Sequence, residues 1–194
     1  MHRRSWILVS LLLALAVPLS ASQFIELPFD QVARESTYAI RGQVTETWSA
    51  WDASHDVIYT YATVRVTRYF GEATGPDTLV VREVGGTVDG YTQEAIGFPA
   101  IRRGEQVVLF LSQWDDGSEY RMHAFNQGKY LVQMRSGREV LVADPVKQGE
   151  ARIARDERMS ISTEAAGLGI EEFAAMVDAA RAGRISADVH QARD

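Results

Sequence analysis

The chain of 194 residues contains no cysteine. This excludes disulfides, thiolate zinc sites, thiol nucleophiles and cysteine-borne lipid anchors. Cations are also short: Lys and Arg number 20 against 26 Asp and Glu, a formal net charge of −6. Nucleic acid and anionic membranes need clustered cations, so neither is expected as a main partner. There is no internal repeat and no low-complexity tract. The glycine-rich string 85–90 (GGTVDG) is no phosphate loop, because no Gly-Lys-Ser/Thr follows it and no helical pattern succeeds it. The longest apolar run, residues 7–17, is roughly half the ~20 residues that a membrane span requires.

What is present is a core-forming composition, 46% hydrophobic and 24% charged. The start reads as a signal peptide over 1–22. Arg3 and Arg4 precede the apolar run, and Pro18, Ser20, Ala21 and Ser22 supply a break and small residues for cleavage before Gln23. The expected location is therefore the periplasm or exterior of a bacterium. An animal secreted protein of this size is expected to carry disulfides. After leader removal no integral membrane protein is expected.

Residues 23–143 read as one β domain. Pro28 can open a short helix with Phe29, Val32 and Ala33 on one side. Strand period then runs over 38–48, where Gly42 predicts a bend or bulge. It continues over 57–70, with Ile58, Thr60, Ala62, Val64 and Val66 on one face, and over 78–84. Residues 85–105 hold five glycines and show no clean period. Residues 106–112 (QVVLFLS) are a continuous apolar run, as in a strand buried on both faces. Asp116-Gly117 forms a turn, 120–125 a fifth strand, and 129–135 pairs with 139–143. Residues 144–168 read as a polar tether, 169–183 as a helix and 184–194 as a frayed tail. The helix carries Gly169 at its N-cap, Glu171 and Glu172 at its positive end, a Leu168–Phe173 staple and Gly183 at its close. The fold class expected is mainly β: a small closed OB-like barrel of five to seven antiparallel strands in meander order, with a C-terminal α-helix.

One order of features carries a resemblance. Residues 38–44 (YAIRGQV) follow a short helix and open a strand. A long second strand runs into Tyr69-Phe70-Gly71. A third leads to the Gly85-Gly86 pair and an irregular loop, and Gly104-Glu105 opens the greasy strand 106–111. Over roughly residues 27–135 this resembles the netrin-like module, the OB barrel of the tissue inhibitors of metalloproteases. It is also similar to a group of uncharacterised secreted bacterial proteins. Those inhibitors chelate a protease zinc through an N-terminal cysteine. This chain has none, so the resemblance implies the fold alone.

Three places could carry chemistry. Gly85, Gly86, Asp89, Tyr91 and Glu94 could line a ligand or partner groove, since glycine lets a ligand approach the backbone; the alternative is a connection whose glycines only turn. Asp52, His55 and Asp56 could hold a divalent cation, and a hydrolase could use Asp52, His55, Asp56 or His123; the alternative is a solvated loop and a barrel-mouth histidine. Trp48, Trp51, Tyr59, Tyr61, Tyr69 and Tyr91 cluster around the first two strands and could stack on sugars or bases, bases being disfavoured by the acidic balance; the commoner meaning is packing under the N-terminal segment or the C-terminal helix. No cofactor is expected. The function expected is an exported, non-enzymatic module that contacts a protein or envelope partner through its loops. The alternatives are a protease inhibitor of non-cysteine mechanism and a hydrolase.

Overall fold

The computed structural model describes residues 27–95, 97–144 and 165–185. The expected signal peptide, most of the tether and most of the tail lie outside these residues. Pro28 opens the helix α1 (Phe29–Glu35), which buries Phe29, Val32 and Ala33. Among the described residues nine strands follow: β1 (Tyr38–Trp51), β2 (Ile58–Tyr69), β3 (Thr78–Val84), β4 (Gly86–Val88), β5 (Tyr91–Gln93), β6 (Gln106–Gln113), β7 (Tyr120–Met122), β8 (Lys129–Arg135) and β9 (Arg138–Ala143). A 3-10 turn (Phe125–Gly128) separates β7 from β8, and α2 (Ile170–Arg181) ends the described chain.

The main sheet runs β1-β2-β3-β7-β6 and closes by pairing β6 back onto β1. Five strands thus form a barrel, and β8 and β9 extend the sheet beyond β6. This departs from the expected meander in two ways. The chain crosses the barrel end between β3 and β6, which pairs with β1 and β7 rather than with β3, and β3 meets β7 in parallel through Val81 and Tyr120. A five-stranded barrel with this closure has the OB arrangement.

Gly42 sits where β1 bends from β2 towards β6. Arg41 faces Arg68 but Gly42 faces Val66, so Thr67 is extra on β2; Thr45 is extra on β1 a few residues later. A Cβ at Gly42 would lie 2.6 Å from Val64 Cγ1 and 2.7 Å from the Arg65 carbonyl oxygen. The close approach is to backbone, which cannot rotate aside. Gly42→Ala is therefore expected to lower stability by about 1–3 kcal/mol, read as a lower urea midpoint at unchanged slope.

Alternation along the strands builds two cores. Ile40, Val44, Ala62, Val64, Leu79, Val81, Val107, Leu109, Leu111 and Met122 fill the barrel. Val108 and Phe110 point out of it, into a second core with Ala39, Phe70, Tyr130, Leu141 and the inner faces of α1 and α2. Phe173 of α2 is the centre of that core, with ring centroids 5.0 Å from Phe70, 5.8 Å from Phe110, 5.9 Å from Phe29 and 6.0 Å from Tyr130. The α2 start is held as expected: the Gly169 N–H donates to Glu172 Oε2 at 2.8 Å. Arg181 at its other end donates to the Ala33 carbonyl at 3.0 Å, tying α2 to α1.

Three local expectations change. The stretch 85–105 contains a small hairpin, β4–β5, turned by Asp89 (φ 50°) and Gly90 (φ 83°). The fifth strand stops at Met122, because Ala124 and Phe125 both adopt left-handed backbone and no strand continues through that. The aromatics of β1 and β2 are not covered by a helix, because both helices lie over the face that carries Phe70, Phe110 and Tyr130. Trp48 stacks on Tyr61 at 5.2 Å, and Tyr59 meets Trp114 edge-on at 6.0 Å. Arg82 lies over Trp114 and Tyr59 in place of any helix. Tyr69 instead joins Tyr38 and Tyr120 beside the barrel core. Among the described residues, no helix is long and apolar enough to cross a membrane.

Candidate functional site

The connection after β3 folds back across one end of the barrel and leaves a cleft of about 320 Å³ beneath it. Its walls include Thr60, Glu83, Gly85, Gly86, Glu94, Phe98, Arg102 and Asp144. The floor is set by hydroxyl pairing. Thr60 Oγ1 donates to the Gly85 carbonyl at 2.7 Å and lies 3.1 Å from Ser49 Oγ. Gly86 (φ 139°) crosses directly over both hydroxyls, where a Cβ would come within 2.6 Å of each. Only glycine combines that backbone with that approach. Gln93 then anchors the return strand, its Oε1 accepting from the Ile58 N–H at 2.8 Å.

The roof is held from inside. Lys129, the first residue of β8, pairs with Leu109 and so shares its inward face. It is fully buried, 0% exposed. Its ammonium donates to the Ala100 carbonyl at 2.5 Å, Glu105 Oε2 at 2.7 Å and Asp144 Oδ2 at 2.6 Å. All three of its protons are satisfied, two by carboxylates, which meets the condition for a tolerable buried charge. Through Ala100 and Glu105 this ammonium fixes residues 100–105 against the barrel. Phe98 packs edge-on against Phe125 at 4.9 Å and steadies the other side.

Glu83 differs from the rest of the wall. It follows Leu79 and Val81 on the inward face of β3 and is only 4% exposed. Its Oε1 accepts a hydrogen bond from the Met122 N–H, and its Oε2 has no partner among the described residues. Burial pushes its carboxyl up to about 8, against the smaller pulls of the Met122 amide and the Arg121 charge. At neutral pH it is mostly protonated.

The residues singled out from sequence divide. Gly85, Gly86 and Glu94 line the cleft, while Asp89 and Tyr91 stand outside it. Asp89 turns the β4–β5 hairpin, and Tyr91, 67% exposed, touches Trp51 at 6.0 Å. The Asp52 carboxylate closes its own loop: Oδ1 accepts from the N–H groups of Asp56 and Val57, and Oδ2 from the Ser54 hydroxyl. Those donors hold it down to about 2. His55 stacks on Trp51 rather than turning towards Asp52. Among the described residues, no group of three or more His, Asp or Glu is placed to hold a metal.

His123 Nδ1 lies 2.7 Å from Ser112 Oγ, and Nε2 lies 3.8 Å from Glu35 Oε2. Burial lowers its pKa, with Glu35 opposing and Arg121 adding to the fall. Serine, histidine and carboxylate thus stand in line, but the carboxylate is beyond hydrogen-bond reach. The Ser112 pairing ties β6 to the turn after β7.

The architecture is that of an OB-like barrel with a helical coat on one face and a roofed cleft at its mouth. No family model matches the chain, and no curated protein matches it.

Proposed function

We propose that this chain is an exported, non-enzymatic binding module of netrin-like layout, which engages a protein or envelope partner through its barrel loops. The observation that carries this reading is the cleft under residues 85–102. The longest irregular connection of the barrel roofs a concavity instead of collapsing onto it. Buried charges on Lys129, Glu105 and Asp144 hold that roof, so the concavity is preorganised. Loops at the mouth of an OB barrel are a common binding place.

The reading is tested by a photo-crosslinking residue at Glu94, on the cleft wall, with a second chain labelled at Arg138 in the distant β8–β9 turn as control. The expected result is a discrete adduct from position 94 in producing cells and none from 138. Equal labelling from both positions, or none from 94, would overturn it. Fractionation of the same cells checks export, with a chain shortened by residues 1–22 expected outside the cytoplasm.

A further inference from the structure

The geometry points to a cleft that takes a ligand's ammonium or guanidinium head, with Glu83 as the group that receives it and Glu94 as the outer acid. This inference rests on the reading of the cleft as the binding place, and adds the chemistry of what enters.

Three observations converge. The first is the space: about 320 Å³ holds an alkyl chain of several carbons and its head group. The second is the vacant oxygen. Glu83 Oε2 is buried and has no partner among the described residues, while Oε1 is already taken by the Met122 amide. A buried carboxyl oxygen without a donor is costly, and a donor brought by a ligand removes that cost. The third is the balance of charge around the cleft. Lys129 is committed to Glu105 and Asp144, and Arg102 to Glu105. With Glu83 ionised, four carboxylates (Glu83, Glu94, Glu105 and Asp144) face three cations (Lys129, Arg102 and Arg121), so the surroundings of the cleft stay one positive charge short. Of these Arg121 on β7 acts on Glu83 only from a distance and lies over the Trp114 ring.

Binding a cation favours the ionised carboxylate, so Glu83 releases its proton to water as the head group arrives. The affinity must therefore depend on pH in a way that reports Glu83 itself. With a carboxyl titrating at about 8, affinity should rise roughly tenfold per unit between pH 6 and 7.5 and level off above 8.

The test is a titration of the isotope-labelled chain followed by amide NMR shifts. The probes are cadaverine, agmatine, a blocked Gly-Lys-Gly peptide and the neutral 1,5-pentanediol. Shifts confined to residues 83–102 are expected with the cationic probes, at least tenfold weaker with the diol. Glu83→Gln is expected to lose at least tenfold in amine affinity at pH 8 and to lose the pH dependence. Glu94→Gln, on the exposed wall, should lose about threefold and keep it. Preference for the free amines assigns a small molecule, and preference for the peptide assigns a lysine or arginine side chain of a protein. Equal binding of diol and amine, or undiminished amine binding by the folded Glu83→Gln chain, would overturn the inference while leaving the cleft as a binding place. If no probe moves these resonances the inference also fails, and crosslinking from position 94 decides the broader reading separately.

Discussion

Glu83→Gln should make the protein more stable, and increasingly so as the pH is raised from 5 to 9. The carboxyl titrates at about 8 in the folded chain because burial outweighs the Met122 amide and the Arg121 charge, against an ordinary value of 4.5. Between those values the folded state holds a proton that the unfolded state has released. Stability therefore falls as pH rises across this window, by about 1.4 kcal/mol per unit. Summed over the window, this one group costs about 4–5 kcal/mol at pH 9 relative to pH 4. Glutamine keeps the oxygen that receives the Met122 amide and cannot ionise. At pH 5 the two proteins should be nearly equal, since a protonated carboxyl and an amide each leave one polar atom unpaired in the same place. Urea unfolding at pH 5, 7 and 9 measures the difference. A gap that stayed constant across these three values would show that Glu83 is not buried as described.

Lys129→Met should have the opposite sign and a similar size. The methionine fills the space but leaves Asp144 with no cation among the described residues and Glu105 with Arg102 alone. Removing one partner of a buried ion pair costs about 3–5 kcal/mol, and here one ammonium serves two carboxylates and a carbonyl. The triple variant that adds Glu105→Gln and Asp144→Asn removes the uncompensated charges and should recover most of the loss. If the triple variant were no better than Lys129→Met alone, packing rather than charge would be the cause. The single variant should also release the roof, visible as faster amide exchange at residues 100–105 than elsewhere in the barrel.

How far such a site can be read from the chain depends on which signals are local. Strand period placed β1, β2 and β3 within a few residues, because Ile40, Val44, Ala62, Val64, Leu79 and Val81 alternate as a barrel lining requires. The unbroken run 107–111 correctly implied burial on both faces. The α2 cap, staple and apolar face were equally legible, since all are contacts within a few residues. The strand order was not, because pairing of β3 with β7 joins segments about forty residues apart through one bridge. The stop of β7 depends on left-handed backbone at Ala124 and Phe125, residue types that give no hint of it.

The site was half visible. Gly85, Gly86 and Glu94 marked the cleft, for glycine at a close crossing is a local signature. Glu83 and Lys129 were passed over, although the same alternation places them inside. Glu83 continues the inward series Leu79, Val81, and Lys129 precedes Leu131, which packs against the barrel core. A charged residue in step with a buried face was the available sign. What no spacing could supply is the partnership of Lys129 with Ala100, Glu105 and Asp144, which fold together only once the barrel has closed.

Strand β6 has one more consequence. Its odd and even side chains belong to different interiors, Val107, Leu109 and Leu111 to the cylinder and Val108 and Phe110 to the coat beneath α1 and α2. Neither compartment owns a complete wall of its own. Peeling away the helices would bare one side of this strand to water, and opening the cylinder would bare the other. The two compartments must therefore melt in a single cooperative event, with β6 among the last amides to exchange.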